Sequence, residues 1–464
     1  MDVSYKLKLE KRFVLLKISN GVSIASLVGR CSIDEARISP LGDVAATPPP
    51  CPAPRPNPSL IMLLAGPLIV VASSLPTERP SIALIDRDYQ RTVTLVCEST
   101  PPALVQVTAL ALDQSPPNSS RLSVAVFLST GEISIISFNP MDPSTLRQSL
   151  HFRPSRYSSR THIVDAAYYH PLLVTLADPF SLSLFDLSSG SVRHTQTLTA
   201  FTCYPPASLV LSCKCTTEFR LIITYTIPVY PRHWSVGVTE IRISNVADMG
   251  LPMPSHTGLF SAPSFREEFR SSAFSMAVIS TRTIRAFDVP NGWIDNACLL
   301  LMREQWGRKL LNVASVQTDG KWVIVAPGND LFSSSIQSHG SFPTPSTSHT
   351  LRSSIGLQLY RLVLPSHSSS ISASPPRLVF VRTLHGHTSP ISALALADGR
   401  CISLDEKGRI WAWDLEAGGG AEVTSSDKNS TDSAVLSMNG IISFDERRIV
   451  SAIAGKVVVR RFDI

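Results

Sequence analysis

The residues best suited to chemistry are few and poorly grouped. His385 and His387 are one residue apart, and so are Cys213 and Cys215. Adjacent carboxylates occur at Glu267-Glu268 and Asp405-Glu406. A metal site needs three or four His, Cys, Asp or Glu ligands at recurring spacings, and the eight cysteines (31, 51, 97, 203, 213, 215, 298, 401) contain no CxxC pair. On a strand Cys213 and Cys215 point to one face as packing residues, so all eight read as reduced thiols of a cytoplasmic or nuclear protein. There is no GxxxxGK[ST] phosphate loop, no GxGxxG after a strand, no GxSxG nucleophile turn and no HExxH pair. The expectation is no catalytic, cofactor-binding or metal residue, no cofactor and no enzyme.

Arginines offer a different chemistry. They cluster at Arg153, Arg156 and Arg160, at Arg447-Arg448 and at Arg460-Arg461. Such clusters suit either solvated strand ends or, where they converge, an acidic or phosphorylated peptide held by planar guanidinium forks. Forty-two basic against 36 acidic residues give a net charge of +6. Over 464 residues that is too mild for a dedicated nucleic-acid binder. A composition of 44% hydrophobic and 17% charged residues supports a large core. The charged start (MDVSYKLKLEKR) is no secretory leader, and no membrane partner is expected. Residues 60–75 (LIMLLAGPLIVVASSL) are uncharged but short for a membrane span, and Gly66-Pro67 divides them. Two buried strands, 61–65 and 68–73, with a Gly-Pro turn account for them.

The elements that must carry these residues are strands. An alternating segment closing on Asp or Asn recurs at 82–86 (IALID), 133–139 (ISIISFN), 181–186 (SLSLFD), 283–288 (TIRAFD), 408–414 (GRIWAWD) and 457–463 (VVVRRFD). Weaker copies stand at 238–245 and 357–361. Their closing residues stand 43 to 59 residues apart, except for one gap of 73 that holds the Ser-rich stretch 332–354; a near-constant period with several short strands per unit is the pattern of a β-propeller. Tight turns fall between the strands at Asp319-Gly320, Asp398-Gly399 and Asn439-Gly440, the last expected to join 434–437 to 441–444. No helical periodicity competes beyond the N-terminus. The count of closing segments favours eight blades slightly over seven.

Residues 383–391 (TLHGHTSPI), followed by Trp413-Asp414, resemble a WD repeat. The resemblance is specific over residues 381–417. It implies structural roles for Gly386, His387, Ser403, Trp413 and Asp414, with His387, Ser403 and Trp413 in a hydrogen-bonded set that locks the blade. The family's set also includes an Asp before the turn glycine. Here Lys407 precedes Gly408, with Asp405 and Glu406 earlier, so either the turn is re-registered or the set is incomplete.

The all-β, WD-repeat-like propeller is expected over 60–464, after an N-terminal segment (1–38) and a Pro-rich linker (39–59). Ser/Pro-rich insertions are expected near 332–354, 365–376 and 418–432. The sequence FVLLKI (13–18) would close the ring by supplying its last outer strand. WD-repeat proteins use their faces to hold other proteins or peptides, so the resemblance implies a non-catalytic interaction scaffold. Residues 5–12 (YKLKLEKR) resemble the linker before the propeller of F-box/WD proteins, although no F-box is legible. That likeness gives a narrower alternative, the substrate-recognition subunit of a ubiquitin ligase. An enzyme with its site in the central channel is the third class.

Overall fold

The computed structural model describes residues 14–16 (backbone), 60–86, 91–97, 104–116, 121–154, 162–200, 203–215, 218–229, 233–245, 276–287, 295–328, 356–364, 376–423, 440–453 and 456–461. They form seven four-stranded antiparallel sheets, which we number as blades in chain order. Blade 1 comprises Leu60–Ala65, Leu68–Ser73, Ser81–Ile85 and Thr92–Val96. Blade 2 runs from Val107–Leu112 through Leu122–Leu128 and Ile133–Asn139 to Asp142–Phe152. Blade 3 is built of Ile163–Tyr169, Leu172–Ala177, Ser181–Asp186 and Arg193–Thr199. Blade 4 is longer-stranded, with Tyr204–Cys215, Glu218–Val229, His233–Asn245 and Met276–Arg285. Blade 5 holds Val313–Thr318, Trp322–Pro327, Leu357–Val363 and Arg377–Leu384, and blade 6 holds Ile391–Ala397, Arg400–Asp405, Ile410–Asp414 and Gly420–Val423. Blade 7 contains Ile441–Phe444, Arg448–Ile453 and Lys456–Arg461, with Val14–Leu16 paired along its last strand, Val14 opposite Val459.

The first strand of each blade lies beside the first strands of both neighbours, and blade 7 meets blade 1, so the seven sheets form a closed ring. Period-two alternation explains how each sheet serves two neighbours. In Leu68–Ser73, Leu68, Val70 and Ala72 pack against blade 2, whereas Ile69 and Val71 pack against blade 7. Every junction has its own apolar cluster, seven in all, and the last joins Met62, Ile69, Val71 and Ile85 to Val450, Ala452, Val457 and Val459. With both faces covered, the second strands become almost continuously apolar, as LIVVAS and LLVTLA illustrate. This is why residues 60–75 read so hydrophobic without crossing a membrane. Among the described residues, no helix is long and apolar enough to do so.

Several expectations are corrected here. The ring has seven blades, not the favoured eight. Thr283 and Arg285 belong to the outermost strand of blade 4, paired with Thr239 and Gly237, so the segment at 283–288 is no third strand of its own. Outer and third strands share the same alternation, and the sequence pattern counted blade 4 twice. Residues 441–444 pair with Arg448–Ile453 as the innermost strand of blade 7; residues 434–437 lie outside the described residues. The expected insertion at 418–432 begins with a strand, Gly420–Val423. The Pro-rich linker, residues 332–354, residues 365–375 and the remainder of 418–432 also lie outside.

A helix, Asn296–Gly307, stands between blades 4 and 5, where none was expected. Asp295 caps it, its carboxylate accepting from the Cys298 amide at 2.7 Å. Leu299, Leu300 and Leu301 are contiguous rather than spaced at 3.6 residues, and all three are exposed, so no amphipathic signal marked it. Trp306 holds the helix to the ring, its indole lying 5.7 Å from the Phe287 ring and 3.9 Å from the Lys309 ammonium.

Polar contacts stitch the rims. Asp319, in the first turn of blade 5, accepts from the Gly399 amide of blade 6 at 3.0 Å. The blade 6 turn needs positive φ at both Asp398 (48°) and Gly399 (71°), the requirement of a two-residue hairpin. Asp113 of blade 2 accepts from the His170 amide of blade 3 at 2.9 Å. Arg448 joins blade 7 to blade 1. Its guanidinium pairs with Asp445 at 2.6 Å and donates to the carbonyls of Pro67, at 2.9 Å, and Gly66.

Candidate functional site

Blade 6 carries the most elaborate polar arrangement. The Trp413 indole N–H donates to Ser403 Oγ at 2.8 Å, and Ser403 Oγ lies 2.6 Å from His387 Nε2. His387 Nδ1 faces Asp405 Oδ2 at 3.4 Å. The directions are self-consistent: Ser403 accepts from Trp413, its own hydrogen turns to Nε2, and Nδ1–H is left for the carboxylate. Ser403 is fully buried (0% exposed) and Asp405 nearly so.

Strand geometry brings these residues together. Ser403 and Asp405 lie two apart on one strand and share a face, and Cys401 pairs with Trp413 across the ladder. Gly386 lets the chain pass the aromatic pair Trp411–Trp413, since a Cβ there would come within 2.8 Å of both rings. The two indoles stack at 5.1 Å with planes 16° apart.

Asp405 also organises the turn that follows it. It accepts from the amides of Lys407, at 3.0 Å, and Arg409, at 2.9 Å, and from Arg409 Nε at 2.9 Å. Burial pushes the Asp405 carboxyl up, but the His387 bond and the amide and guanidinium of Arg409 outweigh it and hold the group below its usual range. The turn is therefore re-registered, with Asp405 entering it three residues before Gly408. Asp414 stands apart: it is exposed and accepts from the amides of Glu416 and Ala417, at 3.0 and 2.9 Å, in the next turn.

The central channel is the second candidate. A cavity of about 400 Å³ is lined by first strands, with Thr108, His162, Asp165 and Gln317 among its polar groups. Burial pushes the Asp165 carboxyl up to about 7, although it accepts from the amides of Ala166 at 2.8 Å and Leu209 at 3.1 Å. Both oxygens are thus engaged by backbone, the second across the junction from blade 3 to blade 4. Ser208 continues the wall to blade 5 by donating to Gln317 at 3.1 Å. The arrangement suits a ring of inter-blade ties better than proton transfer to a substrate.

The arginine clusters divide. Arg448 works inside the blade 7–blade 1 junction and Arg460 donates to Ser451 at 3.1 Å within blade 7. Arg153 approaches the buried Glu132 at 3.6 Å, while Arg156 and Arg160 lie outside the described residues. Cys97 and Cys401 are buried thiols, and burial pushes Cys97 up to about 11. No group of three or more His, Cys, Asp or Glu able to hold a metal occurs among the described residues.

Comparison with known proteins adds one family. Residues 56–258 match the family model described as the F-box protein pof12 beta-propeller. The match spans blades 1 to 3 and the first three strands of blade 4, less than half of the 464-residue chain. No curated protein matches the chain. Among solved structures, the chain is similar to BamB from Moraxella catarrhalis at 9% identity and a TM-score of 0.38, over 86% of this chain and 96% of that one.

Proposed function

We propose that this chain is a non-catalytic substrate receptor of the F-box kind, holding a target protein on its propeller for a ubiquitin ligase. The observation that carries the reading is the match of residues 56–258 to the F-box protein propeller, which falls on consecutive blades. It favours this narrower role over a general interaction scaffold. The channel lends support, because the carboxylate of Asp165 is occupied by two backbone amides and is poorly placed to act on a substrate. Unreactive, buried Cys97 and Cys401 suit a reducing cytoplasm or nucleus. The residues His387, Ser403, Trp413 and Asp405 then serve rigidity: they fix one blade of the platform and touch no partner themselves.

The test is affinity capture of the tagged full-length chain from cells, followed by mass spectrometry. Recovery of ligase components with the chain is the expected result. Recovery of none, with the full-length transcript verified, overturns the receptor reading.

A further inference from the structure

A cavity of about 390 Å³ opens at the rim between blades 5 and 6. Three cations line it: Lys321, Arg361 and Arg382. Lys321 Nζ and Arg361 Cζ stand 5.9 and 5.7 Å from the centre of one indole ring, that of Trp322. Glu416, paired with Lys321, supplies the cavity's single carboxylate. Among the described residues Arg361 has no carboxylate partner. The site therefore holds two more positive than negative charges at close quarters, a local field that attracts an anion.

Two donors lie enclosed behind the cavity wall. Trp322 is 5% exposed, yet its indole N–H has no hydrogen-bond partner among the described residues, and neither has the buried Nε of Arg382. A buried donor left unsatisfied costs about 1–3 kcal/mol. Arg382 is nonetheless firmly seated. Its Nη2 donates to the Leu415 carbonyl at 3.3 Å, and its guanidinium occupies the space over Gly418 (φ +80°), where any Cβ would collide with it. Three cations and one already-paired carboxylate call for acceptor oxygens.

We infer that this rim cavity is a binding site for a tetrahedral oxyanion, inorganic phosphate in the cell, held by Arg361, Arg382 and Lys321. Such an ion offers acceptors on several sides and suits guanidinium forks arriving from different directions.

The experiment is calorimetric titration of inorganic phosphate into the full chain at constant ionic strength. Saturable binding to one site is expected. Arg361→Gln, at an exposed position where folding is undisturbed, weakens it about tenfold or more, the loss of one charge-assisted partner. Arg193→Gln, exposed on blade 3, leaves it unchanged. Absence of saturable binding, undiminished binding in R361Q, or an equal loss in R193Q each overturns the assignment.

Discussion

Replacing Ser403 by alanine isolates the worth of the blade 6 network. The hydroxyl is the single link between Trp413 and His387, at 2.8 and 2.6 Å, and it is fully enclosed. Removing it leaves the indole N–H and the imidazole Nε2 buried without partners. Each orphan costs about 1–3 kcal/mol, so a combined loss of about 2–6 kcal/mol is expected, with little cavity penalty from one oxygen atom. Equilibrium urea unfolding followed by tryptophan fluorescence measures it, since Trp411 and Trp413 lie at the reporting site. Coupling supplies the sharper check. In a double variant with Trp413→Phe, the indole N–H is gone as well, so the summed single losses exceed the double loss by about 1 kcal/mol. A midpoint for S403A within ~0.5 kcal/mol of the parent, or strict additivity with W413F, refutes the claim that the hydroxyl bridges a coupled network.

Two other outcomes are expected. Deleting residues 1–20 removes the strand Val14–Leu16 that pairs with blade 7, and the thermal midpoint falls by about 3 °C or more; an unchanged midpoint means that this pairing does not close the ring. Asp165 titrates near 7 when folded and near 4 when unfolded, so the folded chain binds the extra proton between those values. Stability from this group is complete below the lower value and is lost as pH rises to the upper one. The urea midpoint of the parent therefore falls relative to Asp165→Asn between about pH 4 and pH 7, and parallel profiles contradict the assignment.

What the chain order reveals depends on how local each contact is. The hairpins at Gly66-Pro67, Asp319-Gly320 and Asp398-Gly399 were legible because turn chemistry and strand alternation lie within a dozen residues. Seven of the eight closing segments do mark third strands. The eighth failed because an outer strand obeys the same period. His387, Ser403 and Trp413 could be found by resemblance, but Asp405 stood only as one of two candidate acids, because Lys407 precedes Gly408 where the family has Asp, and the carboxylate's position in space discloses its part. The ties between blades were silent for a simpler reason. Asp113 to His170 and Asp319 to Gly399 span 57 and 80 residues, and no linear pattern connects such pairs.

The grip of Arg448 on the Gly66-Pro67 turn spans 381 and 382 residues, and it bears on how the protein is made. A ribosome adding about 5–20 residues per second needs roughly 20–80 s to deliver Arg448 after the turn has emerged. Throughout that interval the side of blade 1 bearing Ile69 and Val71 waits uncovered, since its cover comes from Val450, Ala452, Val457 and Val459. The nascent chain thus carries a sticky flank from the completion of blade 1 until Val450, Ala452, Val457 and Val459 have been made. Its vulnerable period is set by translation speed and by what shields that flank, more than by the strength of any finished blade.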